Sequence, residues 1–125
     1  METQRLPHDH SQKIERKLES MPSAEDFQAI AVLLKQLGDG SRLRLFWLLC
    51  HGEECAINLS AMVGMSSPAV SHHLRQLKAG GLITSRREGK EVSYRATLTQ
   101  QAQLLHHMIE DLVEIACPSD GEGAP

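Results

Sequence analysis

The sequence predicts a mainly α-helical fold with one small β-hairpin. Aliphatic residues recur at helical spacing in successive segments, whereas strand-like alternation of apolar and polar residues occurs only between residues 82 and 96. Aromatic residues make up 3% of the chain, so the core must consist mainly of Leu, Ile, Val, Ala and Met. A chain of 125 residues corresponds to a single domain that is large enough to bury a core.

The N-terminal half is expected to contain a polar arm followed by two helices. Residues 1–22 are mostly polar and are expected to be flexible or partly helical. Ser23 stands in a capping position before apolar residues at helical spacing, which predicts a first long helix over residues 24–37. Asp39 and Gly40 then interrupt and recap the chain. The helix that follows is apolar most of the way round, so it is predicted to be the buried centre of the domain.

The helix between Ser66 and Gly80 has the clearest division between an apolar and a polar side. Val70, Leu74 and Leu77 fall at i, i+4 and i+7 and form one core-facing stripe. The other side displays hydroxyl, imidazole and guanidinium groups, which suit the base edges and phosphates of DNA, although an ordinary solvated helix face has a similar pattern. The helix residues predicted to contact DNA are Ser67, Ser71, His72, Arg75 and Lys78.

This helix is expected to be the second helix of a helix-turn-helix. A short helix is predicted over residues 58–63, with Asn58 as its N-cap, and a turn of about four residues that contains Gly64 joins the two helices. Beyond Gly81, a hairpin with its bend at Gly89 forms a wing able to lie along phosphates or in the minor groove. The wing residues predicted to contact DNA are Arg86, Arg87 and Lys90.

Charge is distributed unevenly along the chain, whose formal net charge is -3. Residues 66–95 contain six Lys and Arg against two Glu, a local charge of +4. Residues 96–125 contain five acids and neither Lys nor Arg. Because local potential governs the encounter with a polyanion, a near-neutral protein can still bind DNA through its basic segment.

The last helix, opened by Thr97 or Thr99, is predicted to mediate self-association. Its apolar residues step by four and three over more than two heptads, which favours pairing with a second copy of the chain. Pro118 is expected to end the helix, and residues 118–125 are expected to be a disordered tail. The residues of the predicted dimer seam are Leu98, Ala102, Leu105, Ile109 and Leu112.

Two segments resemble the ArsR/SmtB family of bacterial winged-helix repressors: GDGSRLRLFWLL and CAINLSAMVGMSSPAVSHHLRQLKAGGLITSRREGKEVSYRA. The resemblance spans residues 27–112 and marks residues 23–117 as a winged-helix DNA-binding and dimerisation domain. It implies a homodimer formed through the first and last long helices, bound to a palindromic operator and released by an effector. The recognition-helix Ser and His of the family match Ser71 and His72, and its wing bases match Arg86, Arg87 and Lys90.

Many members of that family sense metals, so the resemblance implies places in which to look for ligands. The cysteine-type motif ELCVCDL corresponds to residues 53–59, where Cys55 matches the first thiolate and Ile57 replaces the second. The zinc-type site requires an Asp-x-His pair that falls on Leu98 and Gln100, so this pair is lost.

The last helix offers a different set of donors. An imidazole, a carboxylate and a thiolate lie within about 40° of one another on the helical wheel and could bind zinc or another divalent ion. His8 or His10 could complete the shell, whereas the alternative interpretation is an ordinary polar helix flank. The candidate metal ligands are His106, His107, Glu110, Cys117 and, from the cysteine-type motif, Cys55.

Other classes of function are alternatives to a metal-responsive repressor. Three cysteines at irregular positions argue against a disulfide framework, and oxidation or persulfidation of Cys55 and Cys117 is the alternative effector chemistry. A winged-helix module that binds protein rather than DNA is the rival class. No phosphate loop, nucleophile elbow or catalytic dyad is visible, so an enzyme is not expected. With no membrane-length apolar run and no signal peptide recognised, a cytoplasmic location is expected.

Overall fold

The computed structural model describes residues 6–10 and 13–117. No helix in these ranges combines the length and the apolar character needed to cross a membrane. The chain divides into two compact units, Met1–Leu33 and Leu34–Pro125. The elements in chain order are a 3-10 helix Lys13–Ser20, α1 Ala24–Gln36, α2 Gly40–His51, β1 Glu54–Cys55, α3 Ala56–Val63, α4 Ser67–Ala79, β2 Ile83–Glu88, β3 Glu91–Ala96 and α5 Gln100–Ala116.

The first unit contains the 3-10 helix and most of α1. The predicted cap of α1 is confirmed, because the Ser23 hydroxyl accepts a hydrogen bond from the backbone N–H of Asp26 at 3.0 Å. Three of the apolar side chains of α1, Phe27, Ile30 and Val32, are about half exposed. The predicted tail at residues 118–125, together with Pro118, lies outside the described residues.

The second unit has an aliphatic core built on α2. The prediction that α2 is buried is confirmed for Leu45, Phe46 and Leu49, although Trp47 on its other side is 38% exposed. The three stripe residues of α4 are fully buried against this helix and α3, as predicted. The core residues are Leu45, Phe46, Leu49, Leu59, Val63, Val70, Leu74, Leu77, Leu82, Ile83, Ala102, Leu105 and Ile109.

The predicted hairpin is present as β2 and β3, but the sheet has a third strand. β1 pairs with β3 in antiparallel register, with Glu54 opposite Tyr94 and Cys55 opposite Ser93, so the strand order is β1-β3-β2. A strand of two residues is too short to show alternation, which is why the sequence did not indicate it. Gly89 turns the hairpin with a φ of 63°, a conformation that favours glycine.

The predicted start of α3 is wrong by two residues. The helix begins at Ala56 with Cys55 as N-cap, and Asn58 lies inside the first turn. Among the described residues, no side-chain hydrogen bond caps this helix. The Glu54 Oε2 accepts hydrogen bonds from the Cys55 backbone N–H at 3.1 Å and from Asn58 Nδ2 at 2.6 Å, so the Asn58 side chain bonds back to β1 and does not act as the cap.

The predicted dimer seam on α5 requires a correction. Ala102, Leu105 and Ile109 are buried in the core of the subunit and are not available to a partner. The sequence interpretation failed because an amphipathic helix packed on its own core shows the same three-and-four spacing as a seam. Leu98 and Leu112 are exposed, together with a neighbouring stripe that comprises Leu104, Met108 and Ile115.

Candidate functional site

α4 is held firmly at its start and along its inner side. The Ser66 hydroxyl accepts a hydrogen bond from the Ala69 N–H at 3.3 Å, and Pro68 occupies the first turn. Gly64 adopts the left-handed conformation, with a φ of 67°, and ends α3, which gives the tight turn between the two helices. Of the predicted contact residues on α4, Ser67, His72, Arg75 and Lys78 are exposed and Ser71 is half-buried.

The wing is joined to the rest of the unit by two side-chain contacts. Lys78 at the end of α4 donates a hydrogen bond to the Ser85 hydroxyl at 2.7 Å. Arg86 makes two hydrogen bonds to Glu53, from Nε to Oε2 at 2.6 Å and from Nη2 to Oε1 at 3.1 Å, and also pairs with Glu88 at 3.3 Å. The bonds from Arg86 lower the pKa of Glu53, so this carboxylate is charged at neutral pH.

These contacts separate the predicted basic residues of the wing into two kinds. The charge of Arg86 is already compensated within the subunit. Arg87 and Lys90 are exposed at the tip of the hairpin, and no carboxylate of residues 6–10 or 13–117 forms an ion pair with either. Of the three predicted wing cations, two are therefore uncompensated and one is paired.

A polar layer lies between the start of α2 and the inner side of α4. The Asp39 carboxylate caps α2 by accepting from the Arg42 N–H at 3.0 Å, and this bond is the largest cause of its lowered pKa. Asp39 Oδ1 also lies 3.8 Å from His73 Nε2, while Arg42 Nη1 donates to Gln76 Oε1 at 3.5 Å. Within the described residues, Gln36 Oε1, Arg42 Nε and His73 Nδ1 are buried without a hydrogen-bond partner.

A second polar group, which we call the α2–α5 donor cluster, consists of His51, His106 and Glu110. His106 Nε2 lies 3.2 Å from His51 Nε2, and each of these nitrogens lies 3.4 Å from Glu110 Oε2. Trp47 Nε1 donates to the same carboxylate oxygen at 2.6 Å, and its ring lies against His51 with centroids 4.2 Å apart. The Glu110 carboxylate of α5 therefore contacts two side chains of α2, and His106 contacts one of them directly.

The carboxylate of this cluster is ionised. The hydrogen bond from Trp47 is the largest cause of the lowered pKa of Glu110, followed among the lowering effects by the hydrogen bond from His51. Next to the cluster, burial and then the charge of Glu110 raise the pKa of the Cys50 thiol to about 11, so this thiol is protonated at neutral pH. An anionic oxygen thus faces two imidazoles.

The structure brings together only two of the five predicted metal ligands, His106 and Glu110. His107 stacks beside His106, with ring centroids 5.7 Å apart, but is exposed outside the cluster. Cys117 is exposed at the C-cap of α5, and Cys55 lies in β1. All three cysteines of the chain are free thiols.

His51 and Trp47 were missed by the sequence interpretation. Both lie on α2, which was predicted to be the buried centre of the domain, and neither matches a ligand position implied by the family resemblance. Only the packing of α2 against α5 reveals them, because the sequence separation between His51 and His106 is 55 residues. That His8 or His10 completes a ligand shell stays a prediction.

Comparisons with known proteins agree with this architecture. Residues 39–85 match the profile described as "Bacterial regulatory protein, arsR family". The chain is 33% identical to an arsenical resistance operon repressor of Staphylococcus aureus over 70% of this chain and 77% of that protein. It is 32% identical to a transcriptional repressor SmtB homolog of Synechocystis over 84% of this chain and 80% of that protein.

A solved structure gives the same fold. The homodimeric winged helix-turn-helix DNA-binding domain from Mycobacterium bovis, determined by solution NMR, superposes with a TM-score of 0.64 at 25% identity, covering 87% of this chain and 93% of that chain. The predicted winged helix-turn-helix is therefore confirmed. The chain belongs to the arsR family of bacterial regulatory proteins, the ArsR/SmtB family, whose members are DNA-binding transcriptional regulators and not enzymes.

Proposed function

We propose that the protein is a homodimeric repressor that binds a palindromic DNA operator in the cytoplasm and releases it when a divalent metal ion binds. DNA binding is supported above all by the amphipathic character of α4. Its aliphatic stripe is fully buried, while its basic and hydroxyl groups are on the other side of the helix. A helix fixed in this way can enter the major groove without the loss of its own packing.

The exposed groups of α4 and the wing suit different parts of a DNA duplex. Arg75 and His72 lie on the outer side of the helix, where donors to base edges are needed. Ser67, in the first turn of α4, and Lys78 near its end suit phosphates on either side of the groove. Arg87 and Lys90 suit the phosphates reached by the wing, whereas Arg86 orients the wing through Glu53.

Exposed apolar side chains support a homodimer formed through α1 and α5. Both helices carry large aliphatic side chains that remain exposed in the single chain, among them Ile30 on α1 and Leu104, Met108 and Ile115 on α5. The relative from Mycobacterium bovis is homodimeric. A two-fold dimer would place its two reading helices on half-sites about one helical turn, or roughly 34–36 Å, apart, which is why a palindromic operator is proposed.

A metal ion is the favoured effector because of the similarity to an arsenical resistance operon repressor and to an SmtB homolog. Thiol oxidation at Cys55 and Cys117 is the second candidate, supported by the exposure of Cys117. Operator release by zinc that persists after the thiols are alkylated favours the metal. Release by a mild oxidant that is abolished in Cys55→Ser or Cys117→Ser favours the thiols.

Salt dependence tests the DNA-binding proposal. The probe is a labelled duplex that the protein has selected from a random-sequence pool, and binding is followed by fluorescence anisotropy over a range of salt concentrations. We expect a steep fall in affinity with salt, and we expect Arg87→Ala and Lys90→Ala each to reduce the slope by about one. Arg86→Ala is the matched control, with a smaller change in slope because its charge is already paired.

Two results would contradict the proposal. Binding that ignores both salt and duplex sequence would favour the rival class, a winged-helix module that binds proteins. Equal changes in slope for Arg86→Ala, Arg87→Ala and Lys90→Ala would contradict the division of the wing cations.

A further inference from the structure

We propose that His51, His106 and Glu110 form a binding site for a divalent cation of the zinc type within a single subunit, joining α2 to α5. The three donor atoms all lie within 4.8 Å of one another and come from two helices that pack together. None of the ligand positions implied by the family resemblance includes His51. The site is therefore a different one from the cysteine-type and zinc-type sites of that family.

The spacing of the three donor atoms matches a tetrahedral zinc site. Zinc binds imidazole nitrogen and carboxylate oxygen at about 2.0–2.2 Å, and a tetrahedron with bonds of that length has edges of roughly 3.3–3.6 Å. The observed edges are 3.2 Å between the two imidazole nitrogens and 3.4 Å from each nitrogen to Glu110 Oε2. Three corners of the tetrahedron are thus present, and water can occupy the fourth.

Hydrogen bonding alone accounts for this arrangement less well than a bound cation does. The two Nε2 atoms face each other and the same oxygen. Protons on both nitrogens would serve the two N–O pairs but would leave donor against donor across the 3.2 Å N–N contact, so no arrangement of protons satisfies all three pairs. A cation satisfies all three lone pairs at once. The lowered pKa of Glu110 keeps its oxygen anionic, and the Trp47 hydrogen bond fixes the orientation of the carboxylate.

The donors are accessible to an ion from solvent. The side chains of His51, His106 and Glu110 are 47%, 23% and 44% exposed. An open cleft of about 440 Å³ between the end of α2, β3 and α5 is lined by His51 and His106. An ion can therefore exchange without local unfolding of the core, as a sensor requires.

Every donor belongs to one chain, which distinguishes this site from one shared across a dimer. On the α5 wheel, His106 and Glu110 lie on one flank of the buried stripe, and the exposed Leu104 and Met108 lie on the other. Binding should therefore saturate at one ion per chain, whether the protein is a monomer or a dimer.

α2 provides a direct connection from this site to the reading helix, and this step rests on the proposed function. His51 is the last residue of α2, while Asp39 and Arg42 at its other end contact His73 and Gln76 of α4. Because the donors already have the spacing of a bound zinc, an ion would hold His51 against α5 and so fix the position of α2 relative to α5. A fixed α2 would in turn restrict α4 through the polar layer at its other end.

Zinc titration of the metal-free chain tests the site directly. Trp47 is the only tryptophan of the chain and contacts both Glu110 and His51, so its fluorescence should change on binding. Calorimetry should give one zinc per chain. Cobalt should give the intense visible absorption of tetrahedral coordination. Circular dichroism should show that each variant used below remains folded.

Variants separate this site from other donors. His51→Ala, His106→Ala and Glu110→Gln should each weaken zinc binding by at least about tenfold, and Trp47→Phe by about 10–100-fold through the lost orientation of the carboxylate. His107→Ala and Cys117→Ser are matched controls from the same helix and should bind as tightly as the wild type. Glu110→Gln keeps an acceptor for Trp47, so its loss of binding would not reflect a lost hydrogen bond.

The proposal is overturned if the folded wild-type chain binds no zinc, or if His51→Ala binds as tightly as the wild type. It is also overturned if the affinity depends instead on His107 or Cys117. Because these titrations contain no DNA, they are independent of the proposed function. Zinc binding without any effect on the selected duplex would leave the site in place and contradict the effector role.

Discussion

α4 and α5 are both amphipathic helices that pack a buried aliphatic stripe on the same core and display histidines beside it, yet their polar groups are arranged differently. His72 and Arg75 on α4 are exposed and have no hydrogen-bond or ion-pair partner among the described residues. His106 and Glu110 on α5 converge with His51 of α2 on one point.

The difference shows how similar residue types can serve different partners. Donors that diverge from a rigid helix are suited to an extended ligand such as a DNA groove, because each meets a different group. Donors that converge at 3.2–3.4 Å are suited to a single cation. The geometry of the side chains, and not the residue types alone, separates a reading surface from a metal site.

The largest expected effect is on the free energy of unfolding, and it concerns the buried aliphatic stripes of α4 and α5. Leu74→Ala on α4 and Leu105→Ala on α5 should each lower the free energy of unfolding by about 2–5 kcal/mol, because both side chains are buried in the subunit. Ile57→Ala, at a side chain that is 74% exposed, is the control and should change it by less than about 0.5 kcal/mol. Chemical denaturation measures all three.

Leu105→Ala could instead leave the stability of the subunit unchanged and weaken the dimer. That result would place Leu105 in the dimer seam, as the sequence predicted. Denaturation at several protein concentrations distinguishes the two results. A lost dimer contact lowers the midpoint only at concentrations at which the wild type is dimeric, whereas lost core packing lowers it at every concentration.

The next effect concerns the diverging donors of α4. Arg75→Ala should weaken binding of the selected duplex by about 1–3 kcal/mol, with relaxed sequence preference at one position, because a base-edge contact is lost. His107→Ala on the exposed side of α5 should leave the affinity unchanged. An equal loss of affinity for all duplex sequences would show that Arg75 contacts a phosphate and not a base edge.

The N-caps of α4 and α5 should contribute similar amounts to the stability of the protein. Ser66→Ala and Thr99→Ala should each cost about 0.5–2 kcal/mol of stability, because each hydroxyl accepts a hydrogen bond from a first-turn N–H. The corresponding glycine variants should cost only a few tenths of a kcal/mol. Thermal unfolding measures both pairs, and glycine variants as unstable as the alanine variants would contradict the capping role.

The smallest effect is expected at Glu53. Glu53→Gln removes the charge that compensates Arg86, so DNA binding should strengthen and its salt slope should steepen by less than about one. Because the pKa of Glu53 is lowered from its ordinary value of 4.5, the wild-type pairing should persist at neutral pH and be lost only as the pH falls through this lowered pKa. An unchanged salt slope in Glu53→Gln would show that Arg86 does not reach the phosphates.

The sequence predicted the fold of α4 and the wing better than the donor cluster. The stripe of Val70, Leu74 and Leu77 is a local pattern, so its burial followed directly from helical periodicity. Its neighbours Gly64 and Gly89 are likewise local turn signals. The winged helix could therefore be predicted nearly in full, apart from β1, whose two residues have no pattern of their own.

The donor cluster depends on contacts between residues distant in the sequence. His106 and Glu110 share a helix flank and could be predicted as a pair, but His51 joins them only through the packing of α2 on α5. The prediction that Ala102 and Ile109 lie in the dimer seam failed for a related reason. Helical periodicity does not show whether an apolar stripe packs on its own subunit or on a partner.

The most direct test of the account is the affinity for the selected duplex with and without zinc, measured by anisotropy for the wild type and for His51→Ala. We expect zinc to weaken binding by the wild type by about 5–150-fold, which corresponds to an ordinary coupling free energy of about 1–3 kcal/mol. In His51→Ala, binding without zinc should equal that of the wild type and should not change when zinc is added. A wild type that ignores zinc, or a His51→Ala variant that responds equally to it, would contradict the account.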